Sequence, residues 1–279
     1  VTNRPLPLPP VAEPYQLPFH YGALHMIGVD WLVDPEPARA VLAKRHPALE
    51  AATFEDGRAC VSVNYQLYFA QYPFGGGMTQ EVEVNVIARP RGSAGRLPEL
   101  GYRDYARGYD QTKLLGIARI HVLCDNPHAI DAGRRLYAEP KHPGSFEVSM
   151  PSLNGPSEDR TWEISGKVDE ETRFTLRADL AGLETEPVVT APVTGYGTDE
   201  QGRLLAGPMN VYQPFQLRLL ADRADAAERV RLDLTDPGSE VGQLLGDLLG
   251  TAAPAGVWTY QSAPVAAHLR AYYLPTEAG

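Results

Sequence analysis

Residues 139–144 read Glu-Pro-Lys-His-Pro-Gly, a lysine held between two prolines. Lys141 is one of only four lysines in a chain whose lysines and arginines total 25. Arginine would hold a permanent charge there equally well. It does not lose its proton in a protein, whereas lysine does when its surroundings destabilise the cation. A neutral lysine amine attacks a carbonyl carbon. The protonated imine that follows is an electron sink for the carbanion left by loss of CO₂, aldol cleavage or proton removal. The obstacle is protonation. Moving a lysine pKa from ~10.4 to about 7 takes roughly 4–5 kcal/mol of destabilisation of the ammonium, by burial or a nearby positive charge. The same stretch offers an opposite use. Lys141 follows an expected helix C-terminus, whose dipole favours a cation, with Glu139 two residues away. Helix-end cation and nucleophile are both open at this point.

Other sites of chemistry are weaker. The glycines at 75–77 lack the GK[ST] and the strand–loop–helix setting of a phosphate loop, and read as a hairpin loop. His20 and His25 have no third ligand at metal spacing. Cys60 and Cys124 each sit in an apolar run and read as buried thiols. With no disulfide framework, a reducing cytoplasm is expected. No cofactor or metal is expected.

The elements that must position Lys141 follow from capping and periodicity. Asn126-Pro127 is an N-cap followed by proline at the first helical turn. Ile130, Gly133, Leu136 and Tyr137 then share a face, and Pro140 closes the helix. Asp34-Pro35 begins a second helix with Ala38, Val41 and Leu42 on one side. A third begins near Asp236-Pro237, with a stripe at Val241, Leu244, Leu245, Leu248 and Leu249 stopped by Gly250. Most of the rest reads as strand. Residues 61–68 form one. In residues 79–88, Val82, Val84 and Val86 point one way while Glu81, Glu83 and Asn85 point the other. Residues 114–124 form another, a hairpin spans Trp162 to Leu176, and strands are expected near 207–220 and 229–234. Many strands, three helices and no βαβ alternation predict an α+β, β-rich fold. We read residues 1–18, rich in proline, as an extended arm and residues 19–279 as one domain. The formal net charge of −10 argues against nucleic acid, and no apolar stretch is long enough to span a membrane.

Over a longer window, LCDNPHAIDAGRRLYAEPKHPGSFEV resembles the active-site segment of the acetoacetate decarboxylase family, D-N-x-x-A-I-x-x-G-R-E-x-x-x-x-P-K-K. Asp125, Asn126, Ala129, Ile130, Gly133, Arg134, Pro140 and Lys141 match with spacing intact. The resemblance implies a barrel-like fold with short helices, a homo-oligomer, a small keto substrate and a Schiff-base lysine at Lys141. In that family a neighbouring cation lowers the lysine pKa. It also places a catalytic glutamate at Glu81. A second acidic position falls on Gln66, whose amide would orient substrate, and Tyr260 lies in a fainter C-terminal match. The chain departs from the pattern at His142, which replaces the second lysine, at Arg135, which replaces a glutamate, and at Gly22 or Ala23, where an arginine is expected. His142 is mostly neutral at pH 7 and lowers a neighbouring lysine's pKa less than an ammonium does. These changes favour aldol condensation, dehydration or cyclisation over simple decarboxylation. Two alternatives keep the fold: a non-covalent cyclase of a bulky polyketide-like ligand, and a ligand-binding protein without turnover.

Overall fold

The computed structural model describes residues 7–54, 56–156, 158 and 160–274. In chain order it contains β1 (His20–Val33), α1 (Pro35–Arg45), β2 (Leu49–Ala51), β3 (Ala59–Tyr72), β4 (Gly75–Pro90), α2 (Tyr102–Ala106), β5 (Gly116–Cys124), α3 (Pro127–Tyr137), β6 (Lys141–Pro143) and β7 (Ser145–Ser149). There follow β8 (Thr161–Val168), β9 (Glu171–Asp179), β10 (Glu186–Val188), β11 (Val193–Thr198), β12 (Leu204–Met209), β13 (Phe215–Leu219), α4 (Ala226–Arg229), β14 (Val230–Leu234), α5 (Glu240–Leu249) and β15 (Pro254–Gln261). The fold is α+β and β-rich. The three expected helices are α1, α3 and α5. Asp34 and Asn126 cap the first two through their side chains. In α5 the cap is Ser239 rather than the Asp-Pro before it. The remaining helices, α2 and α4, are too short to show a stripe.

The larger sheet has eleven strands among the described residues, in the order β10-β13-β15-β1-β3-β4-β5-β11-β12, with β2 on β4 and β6 on β5. It does not close, so the expected barrel is instead an open, curled sheet. Its two ends approach one another without pairing: Val188 of β10 and Phe215 of β13 line the same cavity as Gly207 and Met209 of β12. The smaller sheet runs β14-β9-β8-β7. The glycines at 75–77 are strand rather than loop. Gly75 pairs with Tyr72 across the turn Pro73-Phe74. Gly76 lies under the Phe69 ring, where a Cβ would come within 2.2 Å of a ring carbon.

One face of the large sheet carries Ile27, Val29, Val61, Val63, Val82, Val84 and Val86. It packs on the small sheet, α1 and α5 through Trp162, Ile164, Phe174, Leu42 and Leu245. The opposite face carries Asp30, Ser62, Asn64, Gln66, Glu81, Glu83 and Asn85, and all of these are buried as well. Alternation along β4 thus separates two interiors, one dry and one polar, rather than core from solvent. A second cluster covers the polar side, with Phe54, Tyr102, Val188, Val211 and Phe215 among its members.

Of the expected arm, residues 1–6 lie outside the described residues. Residues 7–19 contain no helix or strand; 7–11 are exposed, and the segment meets the domain from Ala12 onward. Tyr15 is buried, and its hydroxyl donates to Asp131 Oδ2 at 2.6 Å on α3. Among the described residues no helix is long and apolar enough to cross a membrane.

Candidate active site

The segment from Asp125 to Lys141 works as a clamp that delivers the lysine to β4. The Asp125 carboxylate accepts from the backbone N–H of Gln80, and the Asn126 amide donates to the Met78 carbonyl. Both bonds tie the start of α3 to the strand that bears Glu81. At the far end Ala138 takes a left-handed conformation, φ 52°, and turns the chain back. β6 then runs parallel to β5 with Lys141 opposite Val122. Arg134 Nε donates to the Lys141 carbonyl at 2.9 Å and fixes its backbone. Gly133 leaves room for the lysine stem: a Cβ there would stand 2.8 Å from Lys141 Cε and 2.4 Å from Glu139 Oε2.

Lys141 is 5% exposed. Its Nζ lies 2.6 Å from Glu81 Oε2 and 3.3 Å from Glu139 Oε2. The Tyr68 hydroxyl donates to Glu81 at 3.3 Å. A second cation continues the array, because Arg119 bridges Glu83 at 2.7 Å and Glu139 at 3.3 Å. The amides of Asn64 and Asn85 donate to Glu83, and Gln66 Nε2 donates to Asn64 Oδ1. Lys141 and Arg119 thus meet three carboxylates between them, with Glu139 common to both.

Electrostatics follow from this packing. Burial alone would lower the Lys141 pKa, but the carboxylates of Glu81 and Glu139 outweigh it and hold the ammonium well above its usual range. Burial raises Glu81, with Glu83 and Glu139 adding repulsion, against the pull of Lys141. Burial would raise Glu83 too, but Arg119 and the two asparagine amides overcome it and hold Glu83 low. These directions favour the ammonium form of Lys141, and of the two glutamates on β4 Glu81 is the more easily protonated. The desolvation expected of Lys141 is present. The neighbouring positive charge is not in direct contact, since carboxylates intervene.

Three expected residues converge. Gln66 pairs with Glu81 across β3 and β4, on the face that receives Lys141. His142 does not join them. Successive side chains of a strand point to opposite faces, and its ring stacks on His121 on the apolar side, 4.4 Å between centroids. Arg135 lies on the exposed side of α3, against Asp131 and the Glu13 carbonyl. Tyr260 packs edge-on against Phe215, 5.8 Å between centroids, and lines a different cleft. Sequence reasoning missed Arg119, whose only signal was a lone charge inside the apolar run GIARIHVLC. It also gave no task to Glu83 or Asn64.

A cavity of about 120 Å³ lies over this polar face. Gln66, Asn64, Glu83 and Arg119 line it, together with Met26, the cross-strand neighbour of Gln66, and with Val188, Met209 and Phe215 from strands at the two ends of the sheet. Lys141 and Glu81 are not part of this lining, though Gln66, the cross-strand neighbour of Glu81, is. Asp30 also faces the cavity, with the Tyr102 hydroxyl donating to it at 3.0 Å, and burial raises its pKa. Among the described residues no group of three or more His, Cys, Asp or Glu is placed to hold a metal ion.

No protein-family profile matches the sequence, and no curated protein is significantly similar to it. Solved structures are similar in shape. The enduracididine biosynthesis enzyme MppR with bound HEPES superposes with a TM-score of 0.59 at 15% identity, over 91% of this chain and 85% of that one. MppR has also been seen with pyruvate, and with the condensation product of pyruvate and imidazole 4-carboxaldehyde. An acetoacetate decarboxylase-like enzyme from Sphingomonas wittichii RW1 gives a TM-score of 0.52 at 14% identity, over 86% of this chain and 87% of that one. From these superpositions and the open, curled sheet, the chain has the acetoacetate decarboxylase-like fold.

Proposed function

We propose that the protein is a Schiff-base enzyme that joins Lys141 to a small keto acid and carries the adduct through aldol condensation and dehydration. The observation that carries this reading is the 2.6 Å contact between a buried lysine amine and Glu81, a carboxylate whose pKa is raised by burial. In the first step the ammonium passes a proton to Glu81, which leaves a neutral pair. The amine nitrogen then attacks the keto carbon. Glu81 returns the proton to the carbinolamine oxygen, which departs as water and leaves an iminium. As a carboxylate again, Glu81 removes a proton from the adjacent carbon to give an enamine, which adds to an aldehyde carbon as Glu81 returns that proton to the aldehyde oxygen. Loss of the new hydroxyl as water and hydrolysis of the iminium then release the product and the lysine. Decarboxylation or cyclisation would use the same iminium. Gln66 faces the cavity with an amide able to orient a carbonyl or carboxylate.

The cavity over the same sheet face is small, and imine formation requires the Lys141 amine, which does not line it, to reach into it. By the measure in which one water needs about 10–15 Å³, a cavity of about 120 Å³ accepts a ligand of roughly ten non-hydrogen atoms. This favours a keto acid over a bulky polyketide-like ligand. The likeness to an enzyme crystallised with pyruvate points the same way.

Borohydride reduction in the presence of pyruvate and longer 2-keto acids tests the reading. A mass increment on Lys141, absent from Lys141→Ala, is expected. The tight ion pair favours a second reading, in which Lys141 stays an ammonium and the site only binds or shapes its ligand. No adduct with any keto acid, together with ligand turnover or binding that survives Lys141→Ala, would establish that second reading instead.

A further inference from the structure

The large sheet bears a second opening on its other side. A cleft of about 920 Å³ is lined by residues of β13 and β15 of the large sheet and of β8 of the small one. Its apolar wall includes Leu67, Met150, Trp162 and Leu180, and its polar end includes Arg218 and Thr259. Arg218 is 8% exposed. Its Nη1 donates to Thr259 Oγ1 at 3.1 Å and, at a marginal 3.4 Å, to the Gln216 carbonyl. Its Nε has no partner, and among the described residues no carboxylate lies within ion-pair distance of the guanidinium. Arg119, a partly buried arginine of the same sheet, has two carboxylates. The charged group nearest to Arg218 in effect is Arg160, a second cation lining the same cleft, and burial together with Arg160 lowers the Arg218 pKa. His25, also in the lining, has a buried Nδ1 with no partner.

A buried, unpaired guanidinium costs several kcal/mol of desolvation, and an orphaned donor adds to it. Arginine keeps its charge under such conditions, and its planar fork matches the two oxygens of a carboxylate or phosphate. Arg218 projects into the cleft with an unpartnered Nε, among the described residues no acid pairs with it, and Leu67, Met150, Trp162 and Leu180 supply an apolar wall beside it. We propose that this cleft is a binding site for an amphiphilic organic anion, its carboxylate or phosphate held by Arg218 and its apolar body lying against Trp162 and Leu67. The site lies on the face opposite Lys141, so it is distinct from the proposed Schiff-base site and does not depend on it.

The test uses the whole chain and two probes of matched shape, phenylacetate and phenyl phosphate, with benzyl alcohol as the uncharged control. Binding is read by calorimetry and by tryptophan fluorescence, with Trp162→Phe identifying the reporter. At least one anion is expected to bind and to shift Trp162 emission, while the alcohol binds at least tenfold more weakly. Which anion binds more tightly distinguishes a carboxylate from a phosphate ligand. Arg218→Met should weaken anion binding at least tenfold and raise the melting temperature of the ligand-free protein, because it removes an uncompensated charge at similar volume. Arg218→Lys should keep weak binding. Lys141→Ala should bind the probes as the wild type does. Equal affinity of Arg218→Met and wild type, a lower melting temperature for Arg218→Met, or no binding of either anion would overturn the proposal. So would concentration-dependent association of the protein that occupies the cleft with a second copy.

Discussion

Gly133 offers a sharp test of why the lysine sits where it does. Replacing a mid-helix glycine with alanine ordinarily stabilises a helix by about 1 kcal/mol. At Gly133 the new methyl would lie 2.8 Å from Lys141 Cε, 2.9 Å from Lys141 Cδ and 2.4 Å from Glu139 Oε2. Overpacking of a closed interior costs about 1–3 kcal/mol, so the two effects nearly cancel and Gly133→Ala should change stability by no more than ~2 kcal/mol. The contacts nearest the methyl are ends of flexible side chains, and these will move rather than the backbone. The lysine therefore leaves its place against Glu139, and imine formation should fall far more than stability does. Gly246 in α5 is the control, since a methyl there meets only Leu234 Cδ1 at 3.7 Å, an ordinary contact. Gly246→Ala should show the full helix gain of about 1 kcal/mol and trap keto acid at the wild-type rate. Urea unfolding gives the stabilities, and borohydride trapping followed by peptide mass analysis gives the rates. If Gly133→Ala is stabilised as much as Gly246→Ala and traps at the wild-type rate, the steric account of the glycine is wrong.

Further expectations follow from the electrostatics and packing. Glu139→Gln removes a carboxylate 3.3 Å from Nζ that helps hold the ammonium well above its usual range, so the pH profile of trapping should move to lower pH. A profile that stays in place or moves upward would show that Glu139 does not control the amine. Burial, with His142 adding repulsion, pushes His121 down to about 4, against about 6.5 in an unfolded chain. Between those values the unfolded chain binds a proton that the fold excludes. Stability should therefore fall as pH drops from 6.5 towards 4, by at most about 3 kcal/mol. Urea midpoints at pH 7 and 4.5 should differ less in His121→Phe than in wild type. Tyr15→Phe removes the 2.6 Å hydrogen bond to Asp131, at a cost of about 1 kcal/mol or less. Proteolysis in the segment before residue 18 should become faster while the midpoint of global unfolding barely changes.

The local chemistry of the chain determined a good deal. Proline after a capping Asp or Asn marked α1 and α3, and a stripe ended by glycine marked α5, because helix ends and faces depend on residues within a few positions of one another. The two-residue period of β4 separated Glu81, Glu83 and Asn85 from the valines for the same reason. The spacing from Asp125 to Lys141 was legible as a motif, and each of Asp125, Asn126, Gly133 and Arg134 has a local task within that segment or against the neighbouring strand.

What covers a face is not a local property. Alternation could not show that the glutamate side of β4 is buried, since its cover comes from strands that begin some hundred residues later. The partnership of Arg119 with Glu83 and Glu139, the turn of His142 away from its neighbouring lysine, and the failure of the sheet to close all depend on strand order and register. The charge state of Lys141 followed only from the assembled site, because it is set by which carboxylates the fold places within 4 Å of one nitrogen and by how little water is left around them.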